Sequence, residues 1–346
     1  DIPIVKASEV TVDNPLGTGP YSLEDGIGGK HLQRVVGWWC SSDDLVAKDS
    51  SIALVEAESP SQIRDEFEFS GLSVVCTNPQ TDSYADYRCD FELWEVDSGF
   101  MMYVGCNVTY SKFFDDGTLR TFLTYGIDRQ TLVDDNYGGL ALPTTLPISP
   151  MSPYYSKSLA ANYDYDEMRF IDAASKFRVP TNDKGVPRTL QLLVNSDDSA
   201  RLRCARNIAA TLTELGLACE TVESPTSVYE ARLQAANYDI YLGITKLPTT
   251  ADLSEFYRPW GEMSWGGLAN ETIYNMVNQS LADRGNYYNL HKLVADDGRI
   301  IPVMAGYYAI YAKRGVLSDL NPARDNVFYY TLGKTMESSK VATQFS

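Results

Sequence analysis

Few side chains in this sequence could carry out covalent chemistry, and those few stand apart. There are two histidines, His31 in the alternating run HLQRVV and His291 in the helix-like run YYNLHKLVADD. A Ser–His–Asp triad or a histidine-held zinc needs partners converging on such a residue, and neither run supplies them. The six cysteines (Cys40, Cys76, Cys89, Cys106, Cys204 and Cys219) contain no CxxC pair, which speaks against a metal site. Cys76 and Cys89 border the polar stretch TNPQTDSYADYR, where they could close a loop or lie buried as small apolar residues. No GxGxxG or Walker-type loop follows any strand, so nucleotide phosphates have no cradle and no cofactor is expected. With 46 acidic residues, some pair stands at the spacing of a two-carboxylate glycoside hydrolase in any fold. That reading would need a cleft pair with one raised pKa. What remains is recognition. The segment SEFYRPWGEMSWGGLAN (254–270) gathers two Trp, a Tyr and several Gly without periodicity, as a satellite core or a binding wall would.

The bulk numbers bound the partners. A chain of 346 residues with 44% hydrophobic and 22% charged residues can bury a sizeable core, in one large domain or two. A net charge of −17 excludes a nucleic-acid footprint and disfavours docking on an anionic membrane. No segment reaches the roughly 18 apolar residues needed to span a bilayer. The longest uncharged run near the end, IIPVMAGYYAIYA (300–312), reads as a buried strand pair. The chain opens DIPIVKASEV, with neither Met nor an apolar leader, so processing or design is expected to have removed what came first.

These residues need elements to hold them. PYSL, LQRVVGWW, SIALVEA, LSVVC, FELWEV and FMMYVGC alternate as strands, with one helix in SPSQIRDEFEFSG (59–71). From Asp115 the spacing turns helical: FDDGTLRTFLTYGI, then DRQTLVDDNYGG capped by Asp128, a Pro-rich loop (142–153) and DYDEMRFIDAASKF (164–177). The clearest signal follows, as strand 188–198, helix 199–217, strand 218–223, helix 227–238 and strand 239–244. That alternation predicts a parallel sheet with right-handed crossovers. Ligands of such sheets bind beyond the carboxyl ends of the strands, here VNSDDS and GITKLPTTADLSEF. Ser196–Ser199 is most simply a helix N-cap. Two more helices (271–283, 286–297) and the run 300–313 complete the chain.

Residues 113–150 now acquire a meaning. Phe114, Asp115, Asp116, Arg120, Leu123, Ile127, Asp128, Arg129 and Leu132, then Gly139, Pro143, Pro147 and Pro150, resemble a motif of family 5 extracellular solute-binding proteins. These are the oligopeptide- and dipeptide-binding components of ABC importers. Their motif reads F-D-D-x-x-V-R-x-A-L-x-x-A-I-D-R-x-x-L before a Gly turn and a P-x-x-x-P-I-x-P loop. Phe122 and Gly126 replace the usual alanines, which suggests local repacking. GTGPY (17–21), GWW (37–39), the block from Asn207 to Tyr241 and IIPVMAGYYAIYAKRGVLSDL (300–320) resemble further family segments in the same order.

The resemblance implies an α/β, periplasmic-binding-protein-like fold of the type II peptide-binding subclass, with the ligand between two lobes. A partial, mostly β lobe one would comprise 1–107 plus 312–346, and lobe two 108–311, with Cys106, Asn107, Tyr307 and Tyr308 at the hinge. The start of lobe one would be missing, because the chain begins almost at the GTGPY strand. The implied partners are a short peptide and a membrane permease, without catalysis, for an extracellular lipoprotein or periplasmic protein. Backbone groups after Gly243, with Thr245, would bind ligand beside aromatic walls at Tyr257, Trp260 and Trp265. Peptide binders of the family place an Asp after the DIYLGI-type strand to neutralise the peptide's amino group. Here Lys246 and Leu247 stand near that position, so Asp252 or Glu255 substitutes, or the ligand lacks a free ammonium. A surface sensor on the same fold is the alternative use of these features.

Overall fold

The computed structural model describes residues 17–26, 28–39, 49–79 and 87–317, with Pro322 and Arg324. The opening segment, Cys40, the middle of the Cys76–Cys89 stretch and most of the closing tail lie outside the described residues. Two compact units divide the chain, one of Asp1–Val96 with Tyr308–Ser346 and one of Asp97–Tyr307.

In the first unit, β1 (Tyr21–Gly26) and β2 (Gly29–Arg34) form an antiparallel hairpin, with β3 (Ser51–Ala53) on β2. The hairpin turns through Gly28 and Gly29 at φ 100° and 127°, a region that L side chains rarely adopt. Helix α1 (Pro60–Phe69) starts where Ser-Pro predicts: Ser59 accepts from the Gln62 N–H and Pro60 takes the first helical position. Strand β4 (Val74–Thr77) pairs antiparallel with residues 309–312. Tyr87 packs against Phe67 and Tyr311 at ring separations of 4.9 and 4.8 Å.

The predicted strands FELWEV and FMMYVGC are a single strand, β5 (Phe91–Cys106), which runs from the first unit into the second. Asp97-Ser98-Gly99 reads as a turn, yet the ladder absorbs it. Gly99 takes φ 78°, its N–H goes to the Asp97 carboxylate (2.9 Å), and its carbonyl accepts from the Leu247 N–H (2.8 Å). The second unit continues with α2 (Thr118–Phe122), α3 (Arg129–Tyr137), β6 (Leu142–Pro143), α4 (Lys157–Ala160) and α5 (Glu167–Lys176). The predicted alternation then follows as β7 (Leu190–Asn195), α6 (Ser199–Glu214), β8 (Cys219–Ser224), α7 (Thr226–Gln234) and β9 (Ile240–Lys246). Helices α8 (Ser254–Tyr257), α9 (Glu271–Ala282) and α10 (Tyr287–Asp297) lead to β10 (Ile300–Lys313). The expected strand pair at 300–312 is thus one strand, because Gly306 keeps an extended backbone.

Strand β7 lies between β8 and β9, parallel to both, and β9 pairs antiparallel with Phe100–Cys106 of β5. The sheet is therefore mixed. Its side chains alternate between two cores, as strand geometry requires. Met102, Val104 and Cys106 join Leu190, Leu192 and Val194 under α3, α5 and α6. Met101, Tyr103, Leu193 and Tyr241 join the α7–α10 side. Two facing pairs, Tyr103↔Gly243 and Gly105↔Tyr241, let each tyrosine ring lie over the opposite glycine. A Cβ at Gly243 would stand 2.6 Å from the Tyr103 ring, and one at Gly105 2.2 Å from that of Tyr241.

The family-like segment 113–150 is a structural knot. Asp128 caps α3, accepting from the Thr131 N–H at 3.1 Å and its hydroxyl at 2.8 Å. Arg129, next in sequence, is buried. Its guanidinium donates to the carbonyls of Thr124, Ile127, Thr144 and Pro302 and to the Thr124 hydroxyl, at 2.8–3.2 Å. Burial lowers its pKa to about 10, so it keeps its charge at neutral pH. The two departures from the family pattern compensate each other. Phe122 packs edge-on to Phe170 (5.4 Å), and the Phe170 ring occupies the place of a Gly126 side chain, 2.6 Å from where its Cβ would be.

Candidate ligand-binding site

The carboxyl ends of β7, β8 and β9 are where chemistry of the second unit is expected. At β7 the turn is closed on itself. Asp198 caps α6 through the Arg201 N–H at 3.0 Å, as the N-cap reading of 196–199 predicts. Asp197 accepts from the Thr226 N–H and hydroxyl at 2.8 and 2.7 Å, which ties β7 to the start of α7 and lowers the pKa of its carboxyl. All these acids are engaged with backbone or hydroxyl donors.

Beyond β9 the chain runs through the aromatic loop and α8. Gly243 is buried beneath Tyr103, so its neighbourhood is packing, and Thr245 is half-buried with its hydroxyl on the Met263 sulfur at 3.5 Å. Tyr257 is fully buried, and burial raises the pKa of its phenol well above the ordinary value. Trp265 is half-buried against the α7–α10 core. Trp260 is the opposite: 95% exposed, on a backbone with φ 61°. Glu255 holds the turn beneath it, pairing with Arg258 through both carboxylate oxygens (3.1 and 2.7 Å) and accepting from the Glu262 N–H at 2.9 Å. The Arg258 hydrogen bonds hold the Glu255 carboxyl below its usual range. Gly261 has no room for a side chain, since a Cβ would fall 2.1 Å from the Glu255 carbonyl oxygen. The far side of the loop is pinned by Arg299, which donates to the carbonyls of Gly267 and Ala269.

Asp252 differs from Glu255. Its Oδ1 accepts from the Ser254 N–H (2.8 Å) and hydroxyl (2.6 Å), while Oδ2 has no hydrogen-bond donor among the described residues. Around it the fold brings together residues distant in sequence. Tyr287 donates to the Thr250 carbonyl, its ring stacks on Tyr154 at 5.0 Å, and Arg284 donates to the Tyr154 hydroxyl at 3.1 Å. Burial raises the Tyr287 pKa and the Asp252 charge adds to the rise. Sequence reasoning missed Tyr154, Arg284 and Tyr287, because nothing local links a Pro-rich loop to a helix start 130 residues later.

The residues expected at a hinge are placed differently from one another. Tyr307 and Tyr308 straddle the division between the units. Cys106 and Asn107 lie inside the second unit, at the end of β5 away from Asp97. The Cys106 thiol is buried, and the Asn107 amide donates to the carbonyls of Ala236 (2.9 Å) and Tyr238 (2.8 Å). The five described cysteines are free thiols, and no group of three metal-ligating side chains occurs among the described residues.

This architecture has relatives. A family model for bacterial extracellular solute-binding proteins, family 5 Middle, matches residues 3–267. The chain belongs to that family. The ABC transporter substrate-binding protein CtaP of Listeria monocytogenes is similar, with a TM-score of 0.71 at 15% identity over 96% of this chain and 72% of that one. NikA of Brucella suis, solved with Fe(III)-EDTA, gives 0.69 at 16% identity, covering 94% and 70%. The oligopeptide-binding protein AppA of Bacillus subtilis, solved with a nonapeptide, gives 0.60 at 16% identity, covering 94% and 68%. No curated protein matches the sequence. This family 5 chain thus has the α/β, periplasmic-binding-protein-like fold of those structures and is shorter than they are. Members of this extracellular family are typically transport components that do no catalysis. No described helix is long and apolar enough to cross a membrane.

Proposed function

We propose that this family 5 protein is the substrate-binding subunit of an ABC importer, capturing short peptides and handing them to a membrane permease. The observation that carries this reading is Trp260. An indole left 95% in water on a left-handed backbone is unfavourable in both hydration and conformation, and it persists here because Glu255, Arg258 and Gly261 enforce it. The turn already presents the ring to solvent, so stacking on a ligand has only the indole's own rotamers left to order. Trp265 and Thr245 would line the same wall, and Asp252 would offer Oδ2 to a peptide ammonium. Gly243 and Tyr257 support the wall from within. Arg258 holds Glu255 ionised, which makes it unsuited to be the general acid of a glycoside hydrolase. The protein would work outside the cytoplasmic membrane, anchored as a lipoprotein or free in the periplasm.

The test is a thermal melt against pools of short peptides, with oligosaccharides and free amino acids in parallel. A ligand at about 100 times its dissociation constant stabilises by about 2.7 kcal/mol, a shift of several degrees. The expected result is a shift with peptides that Trp260→Ala abolishes. Loss of the shift on N-acetylation of the peptides, matched by Asp252→Asn, assigns the ammonium to Asp252. A shift with saccharides alone, or with no pool, overturns the peptide reading.

A further inference from the structure

The opposite end of the same strands carries a feature that peptide capture does not use. Where β5 ends and β7, β8 and β9 begin, a concavity of about 560 Å³ opens to solvent. That volume lies within the range of small-molecule sites. Its floor is one chain of hydrogen bonds. The Ser111 hydroxyl donates to Asp239 Oδ1 at 2.5 Å, the Gln191 N–H to Asp239 Oδ2 at 2.9 Å, and the Gln191 side-chain amide to Glu220 at 2.5 Å. Asn107 clamps the wall to this floor, donating to the carbonyls of Ala236 and Tyr238 and accepting from the Tyr110 N–H at 3.1 Å. Both carboxylates of the floor therefore already hold donors.

Two of the three cations that line it have no acceptor among the described residues. Arg188 and Arg232 line the concavity, and among the described residues neither side chain makes a hydrogen bond or an ion pair; Arg188 only feels the charge of Asp239. Lys112, a third cation on the rim, holds Asp115 at 3.4 Å with both side chains exposed to solvent, a pairing worth little. In a protein of net charge −17, a hollow lined by three cations, two of them guanidinium groups with no hydrogen bond among the described residues, is unusual. Against them, Asp239 is engaged through both oxygens and Glu220 through one. Guanidinium groups bind carboxylate and phosphate oxygens in pairs of parallel hydrogen bonds. We propose that this amino-terminal end of the second unit's sheet is a second binding site, for a small multiply charged anion held between Arg188 and Arg232. Lys112 supplies a further charge, and the side chains of Asn182 and Asn237 offer uncharged donors. The site is separate from Trp260 and Asp252, which follow the carboxyl end of β9.

Isothermal titration of the full chain at low ionic strength, with citrate as the carboxylate probe and pyrophosphate as the phosphate probe, tests this. Binding of at least one probe is expected, weakened about tenfold by Arg188→Gln and again by Arg232→Gln, as loss of a charge-assisted hydrogen bond implies. It should fade as salt is added. Arg188 is exposed and Arg232 half-buried, so both variants should melt with the parent. The affinity should be unchanged in Trp260→Ala, which separates this site from peptide capture. Absence of binding by both probes at millimolar concentration overturns the proposal. So does binding that survives the double arginine variant, or binding that Trp260→Ala removes.

Discussion

The segment around Arg129 and the helix around His291 each bury a basic side chain in the second unit, and they do so in opposite ways. Arg129 is surrounded by acceptors: four carbonyls and a hydroxyl meet its three nitrogens, with no carboxylate among them. Desolvation leaves its pKa at about 10, so the charge survives and every bond is charge-assisted. His291 sits on α10, one turn beyond Tyr287, and neither ring nitrogen has a hydrogen-bond partner among the described residues. Burial alone lowers its pKa to about 4, and the ring stays neutral. The difference teaches what the family-like Asp-Arg pair is for. Arg129 joins a turn (Thr124–Ile127), a Pro-rich loop (Thr144) and β10 (Pro302), which are far apart in sequence. It does no chemistry. His291, one of only two histidines in the sequence, is a small aromatic filler.

The same substitution at both sites should give opposite results. Arg129→Leu removes the donor and leaves the carbonyls of Thr124, Ile127, Thr144 and Pro302 facing an alkyl group. Breaking such a buried, charged cluster costs on the order of 4 kcal/mol. Urea unfolding should show this as a midpoint shift large enough to threaten expression, and a loss below about 1 kcal/mol would break the comparison. The next largest effect is the acid response of His291. The folded ring protonates near pH 4 and the unfolded one near 6.5. The stability it contributes is complete above pH 6.5, declines as the pH falls from there towards 4, and levels off below. Across that window the loss totals about 3 kcal/mol, because each pH unit separating the folded and unfolded values is worth about 1.36 kcal/mol. The measurement is the difference in unfolding free energy between the parent and His291→Leu across the same window, which cancels the other titrating groups.

Arg129 also marks the limit of what could be read in advance. Its position was visible as part of a motif, and so was the α/β alternation from 188 to 246, because both are local patterns of residue type. The carbonyls it binds come from segments up to 173 residues away, and no spacing rule reaches them. The same limit explains the strands. Asp97-Ser98-Gly99 has turn composition, and only the bond from the Leu247 N–H to the Gly99 carbonyl shows that β5 continues. In the candidate site, the aromatic loop stood out by composition. Which ring packs inward depends on the α7–α10 core, whose residues come from elements the loop's own composition does not name. Tyr257 and Trp260, three residues apart, therefore end at opposite extremes of burial. At Gly243 the missing side chain makes room for Tyr103 across the ladder, a contact no local pattern announces.

The smallest effect is the most discriminating. At pH 7.5, His291→Leu should leave stability within about 0.5 kcal/mol of the parent or raise it slightly. Two polar nitrogens with no hydrogen-bond partner among the described residues leave an apolar site, and a side chain of similar bulk takes their place. A buried histidine with an unseen but essential partner would behave like Arg129, and its loss would cost about 1–3 kcal/mol. The neutral-pH substitution and the acid titration are thus two readings of one fact. If the imidazole is unpartnered, the leucine variant matches the parent at pH 7.5 and exceeds it progressively below 6.5. If the variant is already weaker at pH 7.5, the ring has a role in the loop that Tyr287 holds at Thr250, and the contrast with Arg129 disappears.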